Sequence, residues 1–353
     1  MRSSKNKYLF LIPVFLILVS IAFFSGYFIF RNKETAVGFG DNHLIQSAEI
    51  EKKEDKFYRS LDGVEVENKE EVNPYLIGIV IDNFTESRPL SGLSEANLVY
   101  EFLTEAGITR FLAFYTPDKE VIKIGPVRSA RPYFLDLSEE YGSLFMHVGG
   151  SPAALESLKN KEYSLYNLDQ FFNAQYFWRL KTKKAPFNVY TSSDLFQRAL
   201  KEKGAKPSEL SSWQFKEDLN PENRPIKGKD LAIEYSYPEY QVKWKYDAEK
   251  NDYLREQENK IYLEEDEKQI RAKNIIVQTA KTTILDKEGR KEIKIIGEGN
   301  AFIFQDGGVI KGTWQKFRKG DRTNFFDENG REIKFNRGIT WVEVAPDEKI
   351  ISY

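Results

Sequence analysis

Two arginines, a histidine and a Ser-Pro helix start fall within one short stretch, Ile124 to Pro152 (IGPVRSARPYFLDLSEEYGSLFMHVGGSP). Arg128, Ser129, Arg131, His147, Gly150 and Ser151 are residue types suited to holding an anion. Guanidinium recognises carboxylate or phosphate bidentately and stays charged. A Gly-Gly turn at a helix start offers backbone N–H groups and a favourable dipole. Acid–base chemistry would need other groups. Glu101 or Asp82 is the candidate general base and His147 the candidate acid. Glu101 with Asp82 or Glu105 would suit glycoside hydrolysis if the carboxyls faced each other about 5–9 Å apart. No nucleophile–base–orienter set accompanies them. Binding is therefore the first reading, and a cell-wall polysaccharide hydrolase or lyase the alternative.

These residues need elements to place them. Glu120–Ile124 reads as a strand, Gly125-Pro126 as a turn, and Arg131-Pro132 as the start of a helix through Tyr141. Leu144–Val148 repeats the pattern, followed by Gly149-Gly150 and a helix from Ser151-Pro152 through Lys159. Such units put ligands at the carboxyl ends of strands. Tyr75–Ile81 is an apolar run of the kind buried on both faces, and it delivers Asp82. Leu98–Thr104 and Ile108–Tyr115 read as a hairpin. A two-residue Ala106-Gly107 turn would set Leu103 opposite Arg110, with Glu101 and Arg110 diagonal on one face. A turn one residue longer would change that pairing. A carboxylate amid Val99, Tyr100, Phe102 and Leu103 needs a partner, and both a structural ion pair and a ligand-facing pair remain open. Tyr163–Leu180 (YSLYNLDQFFNAQYFWRL) is dense in aromatics and reads chiefly as core and lid, with an aromatic wall for a sugar as the rival. Ser192 or Ser193 caps a helix that stops at Gly204.

Composition bounds the function classes. Across 353 residues, Lys plus Arg (52) nearly cancels Asp plus Glu (54), without a basic stripe, so nucleic acid is not an expected partner. The absence of cysteine removes disulfides, thiolate zinc and thiol nucleophiles. With His43 and His147 the only histidines, a multi-histidine metal site is excluded, and no metal or cofactor is expected. Residues 1–7 are a basic tail, and Tyr8–Phe30 is an uncharged apolar run of transmembrane length. The positive-inside rule sets the N-terminus in the cytoplasm and the rest outside. A polar linker occupies 31–57. An α/β domain is expected over 58–222 and a mainly antiparallel β domain over 223–353, joined through a Pro/Gly-containing connection at 205–228, each with its own core.

Three blocks carry a resemblance to a known family: DNFTESRPLSGLSEANLVYE (82–101), EAGITRFLAFY (105–115) and IGPVRSARPYFLDL…MHVGGSP (124–152). APFNVYTS (185–192), GGVIKGTW (307–314) and RGITWVEVAP (337–346) agree with them. Over roughly Ser60 to Pro346 the chain resembles the YerB-like bacterial envelope family of unknown function, built from an N-terminal and a C-terminal domain. The resemblance implies an extracytoplasmic protein. It makes Arg88, Glu101, Arg110, Arg128, Arg131, His147 and Asn188 the motif polar residues. Members that are lipoproteins need a lipid-bearing cysteine, which this chain lacks, so Tyr8–Phe30 would be its anchor. The expected partner is an anionic cell-wall polymer, glycan or envelope protein.

Overall fold

The structure, a computed structural model, describes residues 56–353. The tail, the Tyr8–Phe30 anchor, His43 and the linker up to residue 55 lie outside the described residues. No described helix is long and apolar enough to cross a membrane.

The described chain is mostly β, with three α-helices: α1 (Pro132–Glu140), α2 (Pro152–Lys159) and α3 (Ser193–Lys203). Local code sets their ends. Pro132 and Pro152 occupy first-turn positions, where a missing N–H costs nothing. Ser151 and Ser192 accept from the N–H groups of Ala154 and Leu195, and Gly204 closes α3 in the left-handed conformation.

Ten strands form one mixed sheet. In spatial order they are Asn324–Asp327, Gly308–Lys316, Gly297–Gln305, Asn274–Thr279, Thr340–Ala345, Leu98–Leu103, Thr109–Tyr115, Ile77–Asp82, Leu144–His147 and Tyr166–Asp169. The first five come from the C-terminal half and the last five from the N-terminal half. They meet where Thr340–Ala345 pairs in parallel with Leu98–Leu103, bringing Glu343 beside Glu101. A second, six-stranded sheet contains Leu231–Glu234, Gln241–Asp247 and Asp252–Gln257. Its Ile233, Val242 and Trp244 join Ile79, Val99 and Phe111 in one apolar core. The alternate residues Val80, Tyr100, Phe102 and Leu112 join Tyr133 and Phe134 of α1, and Tyr141 at its C-terminal end, in the other core.

This overturns the expectation of separate cores in 58–222 and 223–353. Asp55–Tyr353 is one compact unit. The 205–228 connection is itself built in: Trp213 is buried, and Gln214–Lys216 pairs in parallel with Lys334–Asn336. A strand of either half alone would leave an apolar edge unpaired, and the shared sheet removes it. The C-terminal half is mainly antiparallel, as expected, with Asp306-Gly307 at positive φ closing the Gly297–Gln305/Gly308–Lys316 hairpin.

The Leu98–Tyr115 hairpin forms, but one residue out of the expected register. Its loop is a 3-10 turn over Glu105–Gly107 with Ala106 at φ 54° and Gly107 at φ 72°. Phe102, not Leu103, stands opposite Arg110. A one-residue slip moves a side chain to the other face. Glu101 and Arg110 therefore lie on opposite faces, contrary to the two-residue-turn reading.

Candidate functional site

Arg110 stands directly across from Asp82 on the neighbouring strand, on the α1 face of the sheet. The Pro126–Ala130 segment runs along the end of the same strand. The Arg128 N–H donates to the Val80 carbonyl, and the Asp82 N–H to the Pro126 carbonyl. On its other side this segment pairs with the glycine turn: Val148 N–H donates to Arg128, Ala130 N–H to Gly149, and Ser151 N–H to Ala130. One corner thus collects Asp82, Glu105, Arg110, Arg128 and Arg131.

The charges there do not cancel. Arg131 grips Glu105 with Nε and Nη2, both at 2.6 Å. Burial works against the Glu105 carboxylate, yet the Arg131 hydrogen bonds outweigh it and hold that group below its usual pKa. Arg128 Nε lies 3.0 Å from Asp82 Oδ2, without the alignment of a hydrogen bond, and both atoms are buried without a partner. Arg110 donates from Nη1 to the Ser129 carbonyl at 3.1 Å, while its buried Nε has no partner. Burial first, and then the neighbouring Arg131 cation, push the Arg110 guanidinium down to about 10. Three guanidiniums meet two carboxylates, leaving one positive charge in excess. Arg128 keeps 19% of its side chain exposed and makes no side-chain hydrogen bond among the described residues. Its guanidinium lies 5.5 Å from the centroid of Phe187, which stacks on Phe84.

The remaining expected ligand contacts are engaged within the protein. His147 is fully buried, with Nδ1 2.7 Å from the Gly149 carbonyl and Nε2 2.7 Å from Asn167 Oδ1. Burial lowers the imidazole pKa, and the ring serves as a brace for the glycine turn. The Ser151 N–H bonds to Ala130 and its hydroxyl caps α2, so this turn supplies less to an anion than its sequence suggests. Arg88 bonds the Asn83 side chain and the Asn83 and Glu239 carbonyls, tying the halves together. Asn188 accepts from Arg179 Nη1 at 2.9 Å.

Glu101 is on the opposite face from Asp82 and meets Arg255, a residue that sequence reasoning missed. Arg255 Nη2 reaches Glu101 at 2.7 Å and Nη1 reaches Glu343 at 2.9 Å, with all three side chains at 0% exposure. Trp244 Nε1 and the Tyr235 hydroxyl also donate to Glu343. The rings of Phe111, Trp244, Tyr262 and Trp341 surround the guanidinium at 4.8–5.6 Å. The facing carboxylate pairs expected for hydrolysis are therefore absent for Glu101 with Asp82: they sit on opposite faces, each beside an arginine. His147 has no solvent-facing nitrogen with which to act as an acid. The missed signal was Glu343 inside the apolar run TWVEVA, the counterpart of Glu101 inside LVYEFL.

The family described as "Protein of unknown function (DUF3048) N-terminal domain" matches residues 61–206, and its "C-terminal domain" matches residues 231–342. The chain belongs to this family. It is 34% identical over 277 residues to "Putative lipoprotein YerB" of Bacillus subtilis (strain 168), covering 77% of this chain and 81% of that protein. The crystal structure of the YerB protein from Bacillus subtilis superposes with a TM-score of 0.74 at 31% identity, covering 84% of this chain and 99% of that one. The Arg128 corner lies inside the matched N-terminal region, whereas the Glu101 cluster spans both, with Glu101 in the N-terminal match, Arg255 in the C-terminal match and Glu343 one residue past it.

Proposed function

We propose that this chain is an extracytoplasmic envelope protein that binds an anionic group, carboxylate or phosphate, at the Arg110–Arg128–Arg131 corner. Envelope placement draws on the relative named a lipoprotein and on the apolar Tyr8–Phe30 run, which would anchor this cysteine-free chain with its N-terminus in the cytoplasm. The single observation that carries the binding reading is the unbalanced cation. Arg128 is partly exposed, forms no hydrogen bond with its near neighbour Asp82, and belongs to a cluster with one more guanidinium than carboxylate. Binding an anion would supply the missing charge and accept from the exposed part of the Arg128 guanidinium.

The same geometry disfavours hydrolysis. Glu101 and Glu105 are each gripped by an arginine, and Asp82 lies on the opposite face of the sheet from Glu101. Equilibrium dialysis of the full-length protein against oligogalacturonate and inorganic phosphate tests the reading. Saturable binding that weakens with salt and is lost in Arg128→Ala supports it. Absence of saturable binding to either probe, or binding indifferent to Arg128, removes it.

A further inference from the structure

The aromatic-rich segment after Tyr166–Asp169 sends most of its rings inward but leaves two outside. Tyr176 and Phe177 are buried, whereas Phe171 is 66% and Phe172 85% exposed. Exposed neighbouring phenylalanines are costly to leave in water unless they meet something.

Their position relative to the cationic corner is fixed by contacts that close a circuit. The Phe171 ring lies against Gly149, where an added Cβ would come within 3.2 Å of it and where φ is +58°. The left-handed φ favours glycine there. Gly149 pairs with Ala130, two residues from Arg128. In the other direction Arg128 lies over Phe187. The adjacent Asn188 accepts from Arg179 Nη1, and Arg179 Nη2 donates at 3.0 Å to Gln170, which adjoins Phe171. The amide nitrogens of Gln170 and Asn188 donate no hydrogen bond among the described residues. A chain of contacts therefore links the guanidinium, the two amides and the exposed phenyl rings.

Resting on the anion-binding reading above, we propose that the ligand is an acidic polysaccharide, with its acid group at Arg128 and a sugar ring over Phe171 and Phe172. Each group has a natural counterpart. The guanidinium takes the acid, the amides take hydroxyls, and the phenyl faces take the C–H face of a pyranose. A run of acidic residues such as tetra-aspartate offers the charge but no ring face to stack, and a neutral glycan offers the ring but no charge.

The experiment is calorimetric titration of the full-length protein with tetragalacturonate, tetra-aspartate and neutral galactotetraose. Wild type is compared with Arg128→Ala and with the Phe171→Ala/Phe172→Ala double variant, whose exposed side chains leave the core intact. Near-ultraviolet circular dichroism checks that both variants are folded. Tetragalacturonate should bind tightest. The double variant should weaken it roughly tenfold and leave any tetra-aspartate binding unchanged, while Arg128→Ala should weaken both acidic probes. Equal binding of tetragalacturonate and tetra-aspartate, both Arg128-dependent and indifferent to the phenylalanines, would overturn the glycan inference and leave the anion site standing. Galactotetraose bound as well as tetragalacturonate, or no acidic probe bound at all, would overturn both.

Discussion

Glu101 and Glu343 lie side by side across the seam between two parallel strands, both fully buried, and one guanidinium serves both. Arg255 arrives from the second sheet, 154 residues along the chain from Glu101. Two buried carboxyls with one cation are uncomfortable in a medium of low dielectric. Burial first, then the Glu101 charge, push the Glu343 carboxyl up to about 8. A proton on Glu343 balances the cluster.

Removing Arg255 should therefore be severe. Arg255→Ala leaves two carboxyls facing each other inside an aromatic cage and should cost about 3–5 kcal/mol of stability, the usual consequence of stripping one partner from a buried pair. Urea unfolding of the variant beside wild type measures it. A loss within the range of ordinary surface substitutions would refute the strut role.

The raised Glu343 carboxyl also sets a pH dependence. A folded pKa above the unfolded value means that the native state holds the extra proton. This contribution is complete below the unfolded value of about 4.3. It is lost as pH rises through about 8. Glu343→Gln fixes the neutral form, so its stability should fall less than wild type across that window. His147 acts with the opposite sign: burial depresses its pKa, so its contribution is lost as pH falls from about 6.5. Melting curves at several pH values resolve the two, and equal slopes for wild type and Glu343→Gln would contradict the assignment.

The shared sheet predicts one cooperative unit. Chains cut within 217–228 should give halves that do not fold separately, because the Leu98–Leu103 strand loses Thr340–Ala345 and Glu101 loses Arg255. Glu140 on α1 would likewise lose Lys316 and Arg322. Calorimetry of each isolated half should show no transition. A sharp transition in either half would refute the single-unit account.

Sequence legibility followed the range of the interaction. Ser151, Ser192, Pro152 and Gly204 act within a turn, so helix ends could be read from neighbouring residues. The hairpin failed at Ala106, which takes φ 54° and lengthens the loop without a sequence mark as clear as glycine. Glu101 was recognisable as a carboxylate needing a partner, because Val99, Tyr100, Phe102 and Leu103 surround it in sequence. Which cation answers it depends on how two sheets stack, and no local pattern encodes that. The Pro and Gly content of 205–228 marked irregular backbone, yet it carried no information about which edge strands pair across it.

The most direct measurement pairs a melting curve with a binding curve for Arg128→Ala. The Arg128 side chain is partly exposed and, beyond its 3.0 Å approach to Asp82, makes no hydrogen bond among the described residues, so its main work would be on a ligand. Affinity for oligogalacturonate should fall by about 1.5–3 kcal/mol, the worth of a charge-assisted hydrogen bond, while the melting temperature changes little. A large loss of melting temperature with unchanged affinity in the folded fraction would contradict the anion site and make Arg128 a strut.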